Sequence, residues 1–116
     1  RFEETLKIIL DSSSLSILKN LSLLESEIDY NVAENVFGDD FEENIRKLVK
    51  AGLLEKKDGV IYFKSMTIKQ ALTEDDEQYH LSAYEYYLKK AEMSPELDES
   101  YSQKAIEIRN FEALLC

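Results

Sequence analysis

The stretch covering residues 41–63, FEENIRKLVKAGLLEKKDGVIYF, restricts the possible fold more than any other. Ile45, Leu48 and Val49 stand at i, i+3 and i+4, with Phe41 one turn earlier, so a helix here carries one apolar stripe. Asp39 or Asp40 is placed to cap its start, and Glu42 and Glu43 suit the positive end of the helix dipole. Gly52 supplies the left-handed residue at which helices commonly stop. Asp58-Gly59 is a two-residue hairpin signal, because both positions tolerate positive φ. One flank of that turn reads Leu53-Leu54-Glu55-Lys56-Lys57. The other, Val60-Ile61-Tyr62-Phe63-Lys64, is rich in β-branched and aromatic residues. The expected unit is a helix followed by a β-hairpin. Two strands alone are marginal in water, so the hairpin must lie against helices.

Upstream, Leu15, Leu18, Leu21 and Leu24, with Ile17 beside them, predict a helix buried on a wide face. Asp11-Ser12-Ser13-Ser14 reads as its break and cap rather than as a serine nucleophile or a phosphorylation site. Phe2, Leu6, Ile9 and Leu10 share a helical spacing ahead of it. Residues 25–29 read as an acidic link with Ile28 inside it. A short helix over residues 30–37 turns Val32, Val36 and Phe37 inward, with Asp29 as cap and Gly38 as stop. Gly38-Asp39-Asp40 then makes a tight turn. The order helix, helix, turn, helix, hairpin is that of a winged helix-turn-helix. Its expected core is Leu18, Leu21, Val36, Ile45, Leu48, Val49, Leu54 and Ile61.

After the hairpin the helical pattern returns. Met66, Ile68, Ala71 and Leu72 form a short element, and residues 73–77 suit an acidic helix start rather than a calcium loop. Tyr79, Ala83, Tyr86 or Tyr87, and Ala91 define a long helix. Ser94-Pro95 opens another, with Tyr101, Ala105, Ile108 and Leu115 as its stripe. Small alanines facing bulky tyrosines are how stacked helical repeats pack, so an antiparallel, TPR-like hairpin is expected. The expected fold is therefore mainly α with a small β-hairpin. It divides into an N-terminal helix or linker over residues 1–12, a winged helix-turn-helix domain over 13–72, and a helical-hairpin extension over 73–116. The last helix has a stripe with nothing after it, which makes Phe111, Leu114 and Leu115 a candidate partner-packing surface.

Charge narrows the function. The 116 residues carry a net charge of -10, which disfavours a polyanionic partner overall. Residues 44–73 run the other way, with seven basic residues against two acidic ones, a net +5, while the rest nets -15. Within that window Arg46, Lys47, Lys50, Lys56, Lys57 and Lys64 are candidate contacts for a nucleic acid or a protein partner. Catalytic signals are absent. Gly38, Gly52 and Gly59 are each absorbed by a turn, and no Gly-Lys-Ser/Thr phosphate loop exists. One His and one Cys, His80 and Cys116, cannot make a metal set, and a dyad between them is disfavoured by a terminal Cys. Tyr79, Tyr84, Tyr86 and Tyr87 have faces on which bases stack. Their neighbours Asp75, Asp76, Glu77 and Glu85 repel phosphate, so packing is the better reading. No enzyme activity and no cofactor are expected. No run approaches ~18 apolar residues, no signal peptide is visible, and cysteine use suits a reducing compartment, so a cytoplasmic protein is expected. Both ends, Arg1 and Ala113-Leu114-Leu115-Cys116, look like cuts in a longer protein.

Leu21-Ser22-Leu23-Leu24, Val32-Ala33, Phe37-Gly38 and the run from Ile45-Arg46-Lys47-Leu48 to Gly52-Leu53-Leu54-Glu55-Lys56 carry a resemblance. The chain resembles the winged-helix domain that follows the P-loop ATPase domain in STAND-type signalling ATPases. The likeness spans residues 15–72, and more loosely 79–115, where the family continues into a helical-repeat region. It implies a non-catalytic interaction module, a rigid link whose partners are protein domains. Members often place a histidine just after the second wing strand, where it contacts the nucleotide. Here that position reads Tyr62-Phe63-Lys64-Ser65-Met66, so the resemblance brings no nucleotide contact to this chain. The alternative is a DNA-binding winged-helix transcription regulator, motivated by the basic window. Recognition helices address bases with their N-terminal residues. Here that end carries Asp39, Asp40, Glu42 and Glu43, which suit base readout poorly. The sequence names neither the partner nor the oligomeric state.

Overall fold

The computed structural model describes residues 2–72, 77–93 and 103–108. The elements follow as α1 (Phe2–Ile9), α2 (Ser12–Ser22), β1 (Ile28–Asp29), α3 (Tyr30–Phe37), α4 (Phe41–Lys50), β2 (Leu54–Lys57), β3 (Val60–Phe63), α5 (Met66–Leu72) and α6 (Glu77–Met93). Residues 103–108 are helical as well. The protein is thus mainly helical with a small antiparallel sheet of order β1-β3-β2. The calls that fall on Ser94-Pro95 and on Phe111, Leu114 and Leu115 lie outside the described residues.

The helix starts and stops follow local chemistry. Asp11 caps α2, its carboxylate accepting from the Ser14 N–H at 2.7 Å. The serines that follow it lie inside the helix and serve another purpose. The Ser14 hydroxyl donates to Asn44 Oδ1 at 3.1 Å, and the Asn44 amide donates to Ser13 Oγ at 2.9 Å. This polar pair of turns fastens α2 to α4. Asp29 caps α3 by accepting from Val32 N–H, and Gly38 ends it at φ 92°. Asp40 occupies the cap position of α4 without making a side-chain cap bond.

The end of α4 is a complete Schellman motif. The N–H of Gly52, at φ 79°, reaches Val49 O at 3.0 Å, and that of Leu53 reaches Leu48 O at 3.1 Å. Leu48 and Leu53 are both buried, which is the apolar contact such an ending carries. The chain therefore leaves α4 in a fixed direction and enters β2 at Leu54. Asp58 and Gly59 follow with φ of 53° and 77°, the pair of positive values a type I′ turn requires. Leu54 then faces Phe63, and Lys57 faces Val60.

β1 replaces the acidic link expected over residues 25–29. Ile28 pairs with Ile61 and Asp29 with Val60, and the Tyr30 N–H donates to Gly59 O at 2.9 Å. The hairpin is thus the larger part of a three-stranded sheet, and Ile28 is fully buried in it.

One apolar core runs through the molecule. It joins Leu6 of α1, Leu15, Leu18 and Leu21 of α2, Ile28, Phe41, Ile45 and Leu48 of α4, Leu54, Ile61, Leu72, and Ala83, Tyr86 and Tyr87 of α6. Leu72 of α5 and Ala83, Tyr86 and Tyr87 of α6 share this core with the upstream helices and sheet. Phe41 is fully buried in it, stacked on Phe37 at 5.8 Å and tilted against Tyr30 at 5.3 Å. Two expected core residues differ. Val49 is 38% exposed, and Val36 is half-buried at the rim. Val49 stands about 100° round the helix from Leu48, given 3.6 residues per turn. Phe41, Asn44, Ile45 and Leu48 already fill the inner arc of α4. Ile9 of α1 is likewise exposed rather than inward.

Replacing Leu48, which has no exposed surface, with Ala leaves a cavity between α4, α2 and the sheet. The expected cost is ~2–5 kcal/mol. Chemical denaturation checks it, and an unchanged midpoint would contradict the position of α4.

Candidate functional site

The candidate contacts fall on α4 and the hairpin that follows it, and the structure separates them into three kinds. Arg46 and Lys47 are held on the helix surface. Arg46 pairs with Glu42 one turn back at 3.3 Å, with both side chains largely exposed. Lys47 donates to Asp11 at 2.9 Å and lies 3.9 Å from Glu43. Lys56 lies over the Tyr30 ring, its ammonium 3.8 Å from the centroid. Lys50, Lys57 and Lys64 are exposed and make no ion pair among the described residues.

The seventh cation of the basic window does not belong to this surface. Lys69 is 9% exposed, and its ammonium donates to the Leu24 carbonyl. Burial lowers its pKa, with repulsion from Lys104 adding to the effect and Glu25 opposing it. Its apparent place in a basic patch was a property of the linear chain.

A groove of about 240 Å³ runs between α4 and β2. Tyr30, Ile45 and Val49 form its floor, and Glu42, Arg46 and Lys56 its rim. Burial, together with the nearby Glu34 and Glu42 carboxylates, raises the Tyr30 pKa, and Arg46 partly offsets this. The phenol therefore stays neutral at ordinary pH, and the floor is an uncharged aromatic surface. At the N-terminal end of α4, Glu42 and Glu43 occupy the first turn, and Asp39 and Asp40 precede it. Glu34, Asn35, Gly38 and Asp39 line a further, polar depression there.

A second cluster ties α6 to the sheet, and nothing in the sequence pattern points to it. The Tyr86 hydroxyl donates to Glu25 Oε2 at 2.7 Å and accepts from the Asp29 N–H at 2.9 Å. Lys90 donates to the same Glu25 oxygen at 3.0 Å. Tyr86 is fully buried, and its ring meets Tyr87 edge-on at 5.1 Å. Burial first, and the Glu25 carboxylate second, raise its pKa far above the usual range. Tyr86 and Tyr87 are buried in the core and Tyr84 packs against it. A tyrosine spaced to meet a glutamate 61 residues away has no local signature.

Lys104 of the helical segment 103–108 reaches over the Tyr87 ring, 5.1 Å from its centroid. Beside it lies an apolar cavity of about 330 Å³ lined by Leu23, His80, Ala83, Tyr87, Lys104, Glu107 and Ile108. Among the described residues, no three His, Cys, Asp or Glu side chains are grouped as a metal site requires. No helix among them is long and apolar enough to cross a membrane. In comparisons with known proteins, no family model, no curated protein and no solved structure matches this chain.

Two measurements test these ties. Tyr86→Phe removes the hydroxyl and leaves the Asp29 N–H without its acceptor, at an expected ~1–3 kcal/mol. An unchanged unfolding midpoint would show that the hydroxyl contributes nothing. Asp11 reads out in acid. Its pKa falls from 3.8 to about 2, first through the Ser14 N–H and then through Lys47. A carboxylate depressed on folding stabilises above its unfolded pKa, and that contribution fades as pH falls from 3.8 toward 2. Asp11→Asn should remove this part of the acid dependence, and identical acid-unfolding curves would contradict it.

Proposed function

We propose that this chain is a non-catalytic winged-helix interaction module of the kind that links a nucleotide-binding domain to a helical-repeat region in STAND-type ATPases. The order α2, β1, α3, α4, β2, β3 supports a winged helix. The observation that carries the linking role is the seating of α6. Tyr86 and Lys90 join it to Glu25 and Asp29 through part-buried polar contacts, which tie the helix to the sheet. A module built to transmit position needs such a joint. Its partners are protein domains, contacted through the α4 and hairpin face, and the helices after α5 begin the repeat.

The runner-up is a DNA-binding regulator, supported by the exposed Lys50, Lys57 and Lys64. Three features weigh against it. Carboxylates occupy the end of α4 that would enter the groove. Lys47 already faces Asp11 and Glu43. Lys69 is withdrawn into the core.

A salt titration against duplex DNA, random and then selected from a pool, separates the two readings. Only non-specific binding is expected, lost near physiological salt as counterion release weakens it. It should depend on Arg46, Lys50, Lys56 and Lys57 jointly. A selected sequence bound at ~10⁻⁸ M at physiological salt, the range of true regulators, would overturn the interaction reading. The full gene product tests the ATPase connection. A phosphate-binding loop there supports it, and a full-length protein without one removes it.

A further inference from the structure

We propose that this protein associates head to tail with a second copy of itself, the outer edge of α6 seating in the groove between α4 and β2. The proposal rests on the interaction-module reading and names the partner. Two surface patches, one exposing Val49 and the other Leu81 and Leu88, with margins of opposite net charge, carry it.

The first patch is the groove floored by Tyr30, Ile45 and Val49. Val49 is exposed although Phe41, Ile45 and Leu48 of the same helix are not. Its rim carries Glu42 beside the cations Arg46 and Lys56, and those cations are loosely engaged. Arg46 has an exposed partner one turn away, and Lys56 rests on an aromatic face. Contacts of this type contribute little, so both side chains can turn toward an incoming carboxylate without leaving a buried charge behind.

The second patch lies on α6. Its inner side sends Ala83, Tyr86, Tyr87 and Ala91 into the core. Its outer side shows Leu81 and Leu88, 45% and 42% exposed, with Glu85 and Glu92 between and beyond them. These four positions are i, i+4, i+7 and i+11, so they form one edge of the helix. Glu92 pairs with Lys89 at 3.3 Å, with both side chains well exposed.

An apolar edge carrying Glu85 and Glu92 against Lys89, a net -1, thus matches an apolar groove carrying Arg46 and Lys56 against Glu42, a net +1, and both occur in one chain. The surroundings favour this occupant. The groove lies in the basic window of a chain whose remaining residues net -15, so an acid-edged helix is drawn to this face of a copy and repelled from the rest. The two patches share no residue, which makes the contact heterologous: each copy offers its edge to one neighbour and its groove to another. Patches this small give a transient contact, weakened by salt.

Sedimentation velocity on the wild-type chain, over roughly micromolar to millimolar concentrations, should show association that salt reduces. Val49→Asp spoils the groove and Leu88→Asp spoils the edge. Each variant alone should remain monomeric with an unchanged circular dichroism spectrum. Mixed one to one, they should form a dimer and stop there, because each keeps the half that the other lost. Arg46→Glu with Lys56→Glu is a second groove variant should Val49→Asp disturb the fold. A wild type that stays monomeric throughout overturns the proposal, as does a mixture that fails to pair. A Val49→Asp chain that still dimerises points to a different contact and overturns it too. None of these outcomes touches the interaction reading, which the DNA titration decides separately.

Discussion

The hydroxyl of Tyr86 is the contact on which the arrangement of helices and sheet depends. A buried phenol must use its oxygen both as donor and as acceptor or lose hydrogen bonds that water would have supplied. Here the proton goes to Glu25 and the lone pair to the Asp29 N–H. Those two demands fix the register of α6 against the end of β1. They also require a counter-charge, because a carboxylate drawn this far from water is costly unless paired. Lys90, one turn along α6, supplies it. Asp29 is consequently committed three times: to the sheet through Val60, to α3 through its side-chain cap, and to α6 through its N–H. Moving any one of these elements breaks the other two.

The other fixed joint is the end of α4, and it acts on the surface rather than the core. Gly52 turns the chain so that Leu53 returns over Leu48 and Leu54 starts β2 fully buried. The hairpin is then laid beside α4 at an angle that leaves Val49 uncovered and opens the groove over Tyr30. Packing thus dictates which residues remain available for contact. The charges at the groove margin are arranged around a gap that the helix ending creates.

Much of this was legible in the sequence wherever one residue determines a conformation. Gly52, Asp58 and Gly59 need positive φ, and that requirement is local. The leucines of α2 and the Phe41, Ile45, Leu48 series of α4 report burial through periodicity, which also reads locally. What was not legible depends on distant partners. β1 has two residues, too few for any alternation, and it exists because Ile61 and Val60 are there to pair with. Val49 satisfies the helical stripe but lies beyond the arc the core covers. Lys69 carries the same charge as its neighbours, and only the nearby Leu24 carbonyl turns it inward. The serines after Asp11 were read as part of a cap, and their bonds to Asn44 appear only once α2 and α4 are packed together. Of the candidate contacts, the residue types and their neighbourhood were evident. Their division into engaged and open cations was not.

The strand order has one further consequence. With β3 in the middle, β2 is an open edge whose outer backbone groups face solvent, and β1 is too short to offer much of one. A bare edge of this kind is a template on which other polypeptides add strands and begin to aggregate. β2 reads Leu-Glu-Lys-Lys, with all but Leu54 exposed. Charged side chains standing along such an edge would have to be desolvated by any strand that docked there. Lys56 and Lys57 therefore have a reason to be lysine that requires no ligand at all: they keep the sheet at three strands.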